Sequence, residues 1–372
     1  MDAAGKTHAT SFSWVSASIR FAHPIRDAVP SWVIGFGVLL GSCTATRPAA
    51  ELAYFPAPPS PARVVQLRTF RRLEELVPPK PDPLSLFRQA RGSAIGRPAG
   101  LAYAAGHLLI CDLELACVHD WDLETGTARR VHDAEGVEFL HPVAVAVDDD
   151  GRWYVADTDR GEVIRSTASG SDVRRIKPAG GARFRPVSVA VHMDNLFVAD
   201  IAAHEIQVYS TATGDLVRHI GGVGDEPGKF YFPLGVASTR DGRLLVSDTM
   251  NSRVQVFDPQ SHFLRAFGQP GNRFGDMGKP KHLGVSHDGV VFVADAEFEC
   301  VHVFSDEGQL LLVLVGDDGR RKGTGVPFGI ALAYDVPAAV SSLVPADFNA
   351  EYFVFLSNGA GSLGVYAVGV GR

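Results

Sequence analysis

Pro233-Leu234-Gly235-Val236-Ala237-Ser238-Thr239-Arg240-Asp241-Gly242-Arg243-Leu244-Leu245-Val246-Ser247-Asp248 is the stretch that decides the fold. It reads as a Pro, an apolar run, a polar turn and an apolar pair closed by Asp. The same phrase starts again at Pro98, Pro142, Pro186, Pro280 and Pro327, so successive anchors lie 44, 44, 47, 47 and 47 residues apart. A fixed period of this size marks a repeat architecture in which each copy is one supersecondary unit. The copy at Pro233 holds four short β-type runs: Leu234 to Ala237, Arg243 to Ser247, Arg253 to Asp258 and Phe263 to Phe267. They alternate apolar and polar residues between Gly, Pro, Asn and Asp turns, and no helical period appears.

Four antiparallel strands per period make one blade of a propeller, and six anchors imply six blades. The sixth copy ends at Leu363-Gly364-Val365-Tyr366, one strand short, and Arg63 to Phe70 resembles the outer strand Leu216 to Ile220 of another copy. The expected fold is therefore all-β: a six-bladed β-propeller of four-stranded antiparallel blades, closed by an N-terminal strand that completes the last blade. Closure of this kind removes open sheet edges.

The run Gly235-Val236-Ala237, Asp241-Gly242, Leu245-Val246-Ser247-Asp248 and Asn251-Ser252-Arg253-Val254-Gln255-Val256-Phe257, followed by Phe267-Gly268 and Gly275, resembles the NHL repeat. Residues 63 to 370 resemble six-bladed NHL-type propellers, a likeness that speaks for fold and little for activity. Some members bind RNA through a basic face. Here the net charge is -7 and the pI near 6.0, with Lys and Arg scattered, so nucleic acid is excluded as a partner.

The N-terminal segment is of another kind. Ser31 to Leu40 is apolar, too short to span a bilayer but suited to a signal-peptide core, and Leu40-Gly41-Ser42-Cys43 resembles a bacterial lipobox with Cys43 as the lipidated residue. The domains expected are residues 1–43 as a signal peptide, 44–62 as a Pro/Ala-rich tether and 63–372 as the propeller, exported and lipid-anchored at the bacterial cell envelope as a monomer. Cys111 and Cys117 flank a turn, where an oxidising compartment would allow a disulfide, while Cys300 reads as a buried thiol.

Asp112, Asp157, Asp200, Asp248 and Asp295 stand once per blade at a strand end and read as turn caps, with Ser357 in that role in the sixth copy. Two residues after each anchor the copies have Gly100, Ala144, Ser188, Gly235, His282 and Gly329, so His282 breaks a column of small residues near the axis. His282, with His141 nearby in the pattern, is the candidate ligand or metal site. His192 and His287 fall in turns between first and second strands.

The sixth copy also carries an apolar insertion, Asp335 to Ala350, whose Val336, Pro337, Leu343 and Phe348 are the candidate partner contacts. These features make the first expectation a non-catalytic binding or scaffold module with no cofactor, contacting an envelope or extracellular protein or a cell-wall ligand. The alternative is a metal-assisted lyase or hydrolase with an axial site around His282 and a divalent metal.

Overall fold

The computed structural model describes residues 52–56, 60–77, 93–134, 136–315 and 326–371. Cys43 and the segment before it lie outside the described residues. Within these the protein is a six-bladed propeller. Blade one comprises Pro98–Ala104, His107–Asp112, Cys117–Asp122 and Thr127–Val131; blade two Pro142–Val147, Arg152–Asp157, Glu162–Thr167 and Arg174–Ile176; blade three Pro186–His192, Asn195–Asp200, Glu205–Ser210 and Leu216–Gly221. Blade four comprises Pro233–Ser238, Leu244–Asp248, Arg253–Phe257 and Phe263–Phe267, and blade five Pro280–Val285, Val291–Asp295, Cys300–Phe304 and Leu310–Val315. Inner strands of consecutive blades touch around the axis, and the sixth touches the first.

Blade six takes its inner three strands, Pro327–Ala333, Phe348–Asn358 and Ser362–Gly371, from the C-terminus and its outer strand, Val64–Phe70, from the N-terminal side. Val64 pairs with Val368 and Phe70 with Leu363, antiparallel. A fifth strand, Ala53–Phe55, pairs outside it with Ala53 opposite Gln66, so the sheet reaches into the segment expected to be tether. The clasp is held by burial: Val65, Leu67 and Phe70 join Trp121, Leu363 and Val365 in one core cluster. Each such side chain contributes about 1.5–3 kcal/mol on leaving water.

The other cores likewise lie between neighbouring blades, as where Phe230 and Phe257 of blade four meet Ile206 and Ile220 of blade three. Crowding at the axis explains the column of small residues. A Cβ on Gly235 would lie 2.1 Å from the Lys281 carbonyl oxygen of the next blade, and one on Gly329 would lie 2.2 Å from that of Ala99. Glycine is required wherever one backbone approaches another this closely.

The cysteines are free and buried. Cys111 pairs with Val118 and Cys117 with Asp112, so the two are one register position apart and point to opposite faces of the sheet. The hairpin disulfide that their spacing would allow is therefore not formed.

Candidate functional site

The two ends of the inner strands are built differently. At the end where each inner strand begins, the anchor Pro pairs with the blade Asp: Pro98 with Asp112, Pro233 with Asp248, Pro280 with Asp295. These carboxylates are fully buried. Asp112 accepts from the backbone N–H groups of Gly96, Arg97, Glu114 and Leu115, and Asp295 from those of Gly278, Lys279, Glu297 and Phe298. Burial pushes the Asp112 carboxyl up, but His119 and the backbone donors outweigh it and hold the group well below the usual carboxylate range. These groups tie the turns to the loops before the anchors.

In blade six the anchor Pro327 pairs with Asn358, not with Ser357. Asn358 Oδ1 accepts from the Ala360 and Ser362 N–H groups. Ser357 instead stands where Ser247 stands in blade four: it donates to the Ala99 carbonyl and accepts from Gly329 N–H, as Ser247 donates to the Lys281 carbonyl. Counting from the apolar pair misplaces the turn residue by one, because the side chain, not the strand pattern, defines the cap.

His282 sits near the axis with its ring 5.8 Å from that of Phe328, which also carries the Lys281 ammonium at 4.5 Å from its centroid. Burial and the neighbouring Lys281 push the imidazole down to about 4, so it is neutral at pH 7. His141 belongs to blade two, across the ring, and its Nδ1 lies 3.9 Å from Asp159. Among the described residues no three His, Cys, Asp or Glu side chains converge as metal donors. The donor set around His282 therefore does not fit a resident divalent ion.

At the opposite end the inner strands open into an axial cavity of about 1060 Å³. Every blade supplies apolar side chains to its wall, among them Leu101, Val145, Val191, Val236, Val285 and Ile330. The mouth is polar. His287 and Tyr334 line it with their rings stacked, centroids 3.5 Å apart and planes 4° from parallel. The backbone N–H of His287 donates to the Tyr334 hydroxyl at 2.6 Å. Burial, then the positive field of Arg240, lowers the His287 imidazole from its ordinary value, while burial raises the Tyr334 phenol. Beside them Tyr103 of the adjoining blade one, pushed up to about 12 mainly by burial, donates to the Asp335 carbonyl at 2.5 Å.

The sequence reading found His287 only as a turn residue and passed over Tyr334. The signal was present. Arg240, His287 and Tyr334 each stand seven residues after their anchor, where blades one to three carry Ala105, Asp149 and Met193. That column differs from blade to blade, and its Ala105, His287 and Tyr334 line the cavity.

The blade-six insertion lies beside this mouth. Val336 and Pro337 border the cavity, followed by a short helix, Ala338–Ser341. Phe348 is 5% exposed and joins the blade-six core with Val340, while Leu343 packs against the same cluster half-buried. The insertion thus builds the rim, and Phe348 is not available to a partner.

Residues 230–257 match the NHL repeat family. Solved structures superpose on most of the chain. A gluconolactonase from Xanthomonas campestris shares 17% identity, with a TM-score of 0.55 over 83% of this chain and 89% of that one. Virginiamycin B lyase from Staphylococcus aureus shares 10% identity, with a TM-score of 0.53 over 81% and 98%. A catalytically inactive His-to-Ala form of that lyase, solved with quinupristin, also shares 10% identity, with a TM-score of 0.51 over 73% and 95%. These likenesses show a shared fold. They also correct the expectation of a non-catalytic scaffold, because the solved propellers of this shape include a gluconolactonase and a lyase.

Proposed function

We propose that this protein is an enzyme of the hydrolase or lyase class that binds a small substrate in the axial cavity and moves a proton through His287. The stacked His287–Tyr334 pair at the cavity mouth carries the proposal. An imidazole kept neutral at pH 7 is a competent general base. It can take a proton from water, leaving hydroxide to add to an acyl carbon, or from an acidic carbon of the substrate, leaving the electron pair to expel a β-oxygen. Tyr334 holds the ring plane and keeps its own phenolic proton to donate to a substrate oxygen, since its hydroxyl accepts from the His287 backbone. The apolar wall suits a compact ligand whose polar edge faces the mouth. His282 does not line this cavity, so the chemistry moves from His282 to His287; no metal enters the scheme.

Glucono-lactone and virginiamycin B, the compounds that name the neighbouring enzymes, are the first substrates to test by mass spectrometry. Hydrolysis adds the mass of water, whereas a ring-opening elimination leaves the mass unchanged. Turnover by the wild type that His287→Ala abolishes is expected. No turnover across lactone and depsipeptide panels, or full activity in His287→Ala, would overturn the reading. For location we propose a lipid anchor at Cys43, supported by Leu40-Gly41-Ser42-Cys43; labelled palmitate should enter the wild type and not Cys43→Ala.

A further inference from the structure

The axial cavity is not equal all round. Blades two and three give it Val145, Ala146, Val147, Ala190 and Val191, with no polar side chain among them. Its polar side chains come from the remaining blades: Tyr103 and Glu124 from blade one, Ser238 from blade four, His287 from blade five, Tyr334 and Asp335 from blade six. Blade two stands three places from blade five in a ring of six, so the apolar arc begins directly opposite His287. Each innermost strand also has a free edge toward the axis, but all six blades share this feature, so only the side chains separate the two arcs.

Two further observations point the same way. Met193, 73% exposed, holds in blade three the place that His287 holds in blade five, seven residues after the anchor Pro, and so puts an apolar side chain at the rim end of that blade. Asp149, at the same place in blade two, is exposed and does not line the wall. On the polar arc two hydroxyl hydrogens are already used: Ser238 Oγ donates to the Val191 carbonyl at 3.1 Å, and Tyr103 donates to that of Asp335. A polyhydroxylated ligand would therefore lose hydration against blades two and three with no side-chain partner in return, which is costly. An aliphatic group gains by the same burial.

We infer that the substrate is a cyclic ester bearing an aliphatic arm, with its acyl group on the His287 side and the arm laid across the cavity against Val147 and Val191. The inference rests on the reading of the axial cavity as the substrate site, and it ranks alkyl-substituted lactones above glucono-lactone.

Titration calorimetry on the whole protein with γ-lactams carrying ethyl, butyl and hexyl groups, and with gluconolactam, reads the arm without turnover, because an amide ring resists hydrolysis. Affinity should rise about threefold for each methylene added, and gluconolactam should bind more weakly than the hexyl lactam. Val147→Thr and Val191→Thr keep the shape of the side chain and place a hydroxyl in the apolar arc. Each should weaken the hexyl lactam about fivefold or more and the ethyl lactam little. Both positions are half-buried, and either folded variant decides the outcome. Affinity flat with chain length, gluconolactam bound more tightly than the hexyl lactam, or hexyl affinity unchanged in the folded variants would overturn the inference. Turnover of the matching lactones separates it from the catalytic reading. Lactam affinity that follows the arm while His287→Ala keeps full turnover removes the base and leaves the arm in place; turnover lost in His287→Ala with kcat/KM indifferent to the arm removes the inference alone.

Discussion

The imidazole of His287 and the phenol ring of Tyr334 lie 3.5 Å apart and within 4° of parallel, although 47 residues separate them in the chain. One repeat period brings the same position of blade six beside that of blade five. A titratable group is thereby fixed in orientation on a rigid ring, at the edge of the axial cavity.

Because burial and Arg240 lower the His287 imidazole below its ordinary 6.5, its base form persists to more acid pH. The acid limb of kcat/KM should lie below pH 6.5, with a plateau above. His287→Ala should lose about 10²–10⁴-fold of activity and the limb with it. Tyr334→Phe keeps the stack and removes the hydroxyl, so it should lower kcat more than it raises KM; pH–rate profiles on both variants check these outcomes.

His282 gives a stability signature of its own. Its imidazole is pushed down to about 4 in the folded protein from an ordinary 6.5, so between these values the unfolded chain binds the extra proton. Its contribution is therefore full above pH 6.5 and lost as pH falls toward 4. The difference amounts to about 3 kcal/mol. Denaturant melts at pH 7 and pH 4.5 should show a smaller acid loss for His282→Asn than for the wild type; equal losses would contradict it.

Asp248 accepts from Tyr231 N–H and from the side chains of Asn251, Arg253 and Gln255. Asp248→Ala strands the partly buried Arg253 charge and should cost about 3–5 kcal/mol. Asp248→Asn, which places in blade four the residue blade six uses at Asn358, should cost less than half as much. Urea midpoints of the two variants decide this.

Phe70 is 1% exposed and packs 5.9 Å from Trp121, joining the N-terminal clasp to blade one. Phe70→Ala should cost about 3–5 kcal/mol. Leu264→Ala, on the exposed outer strand of blade four, should cost under about 0.5 kcal/mol. Comparable losses at the two sites would mean that the clasp does not hold the ring.

Much of the architecture is written locally. Pro anchors at a constant interval, Asp at strand ends and period-two alternation each express a preference of a few neighbouring residues, and six repetitions leave one consistent reading. The clasp was legible because a missing strand at one end matched a surplus strand at the other. Asn358 was not, since Ser357 and Asn358 can both cap a turn and only the strand register separates them. The fifth strand, Ala53–Phe55, was hidden by surrounding prolines that read as tether.

The sequence by itself therefore determined the repeat, the number of blades and the manner of closure, because these follow from short-range backbone preferences and from burial repeated in each copy. Only the tertiary structure decided which departures from the repeat matter. Stacking of blades puts residues one period apart into contact, so it joined His287 to Tyr334, packed His282 against Phe328 and buried Phe348. Those outcomes depend on distances between whole blades, which no local pattern encodes.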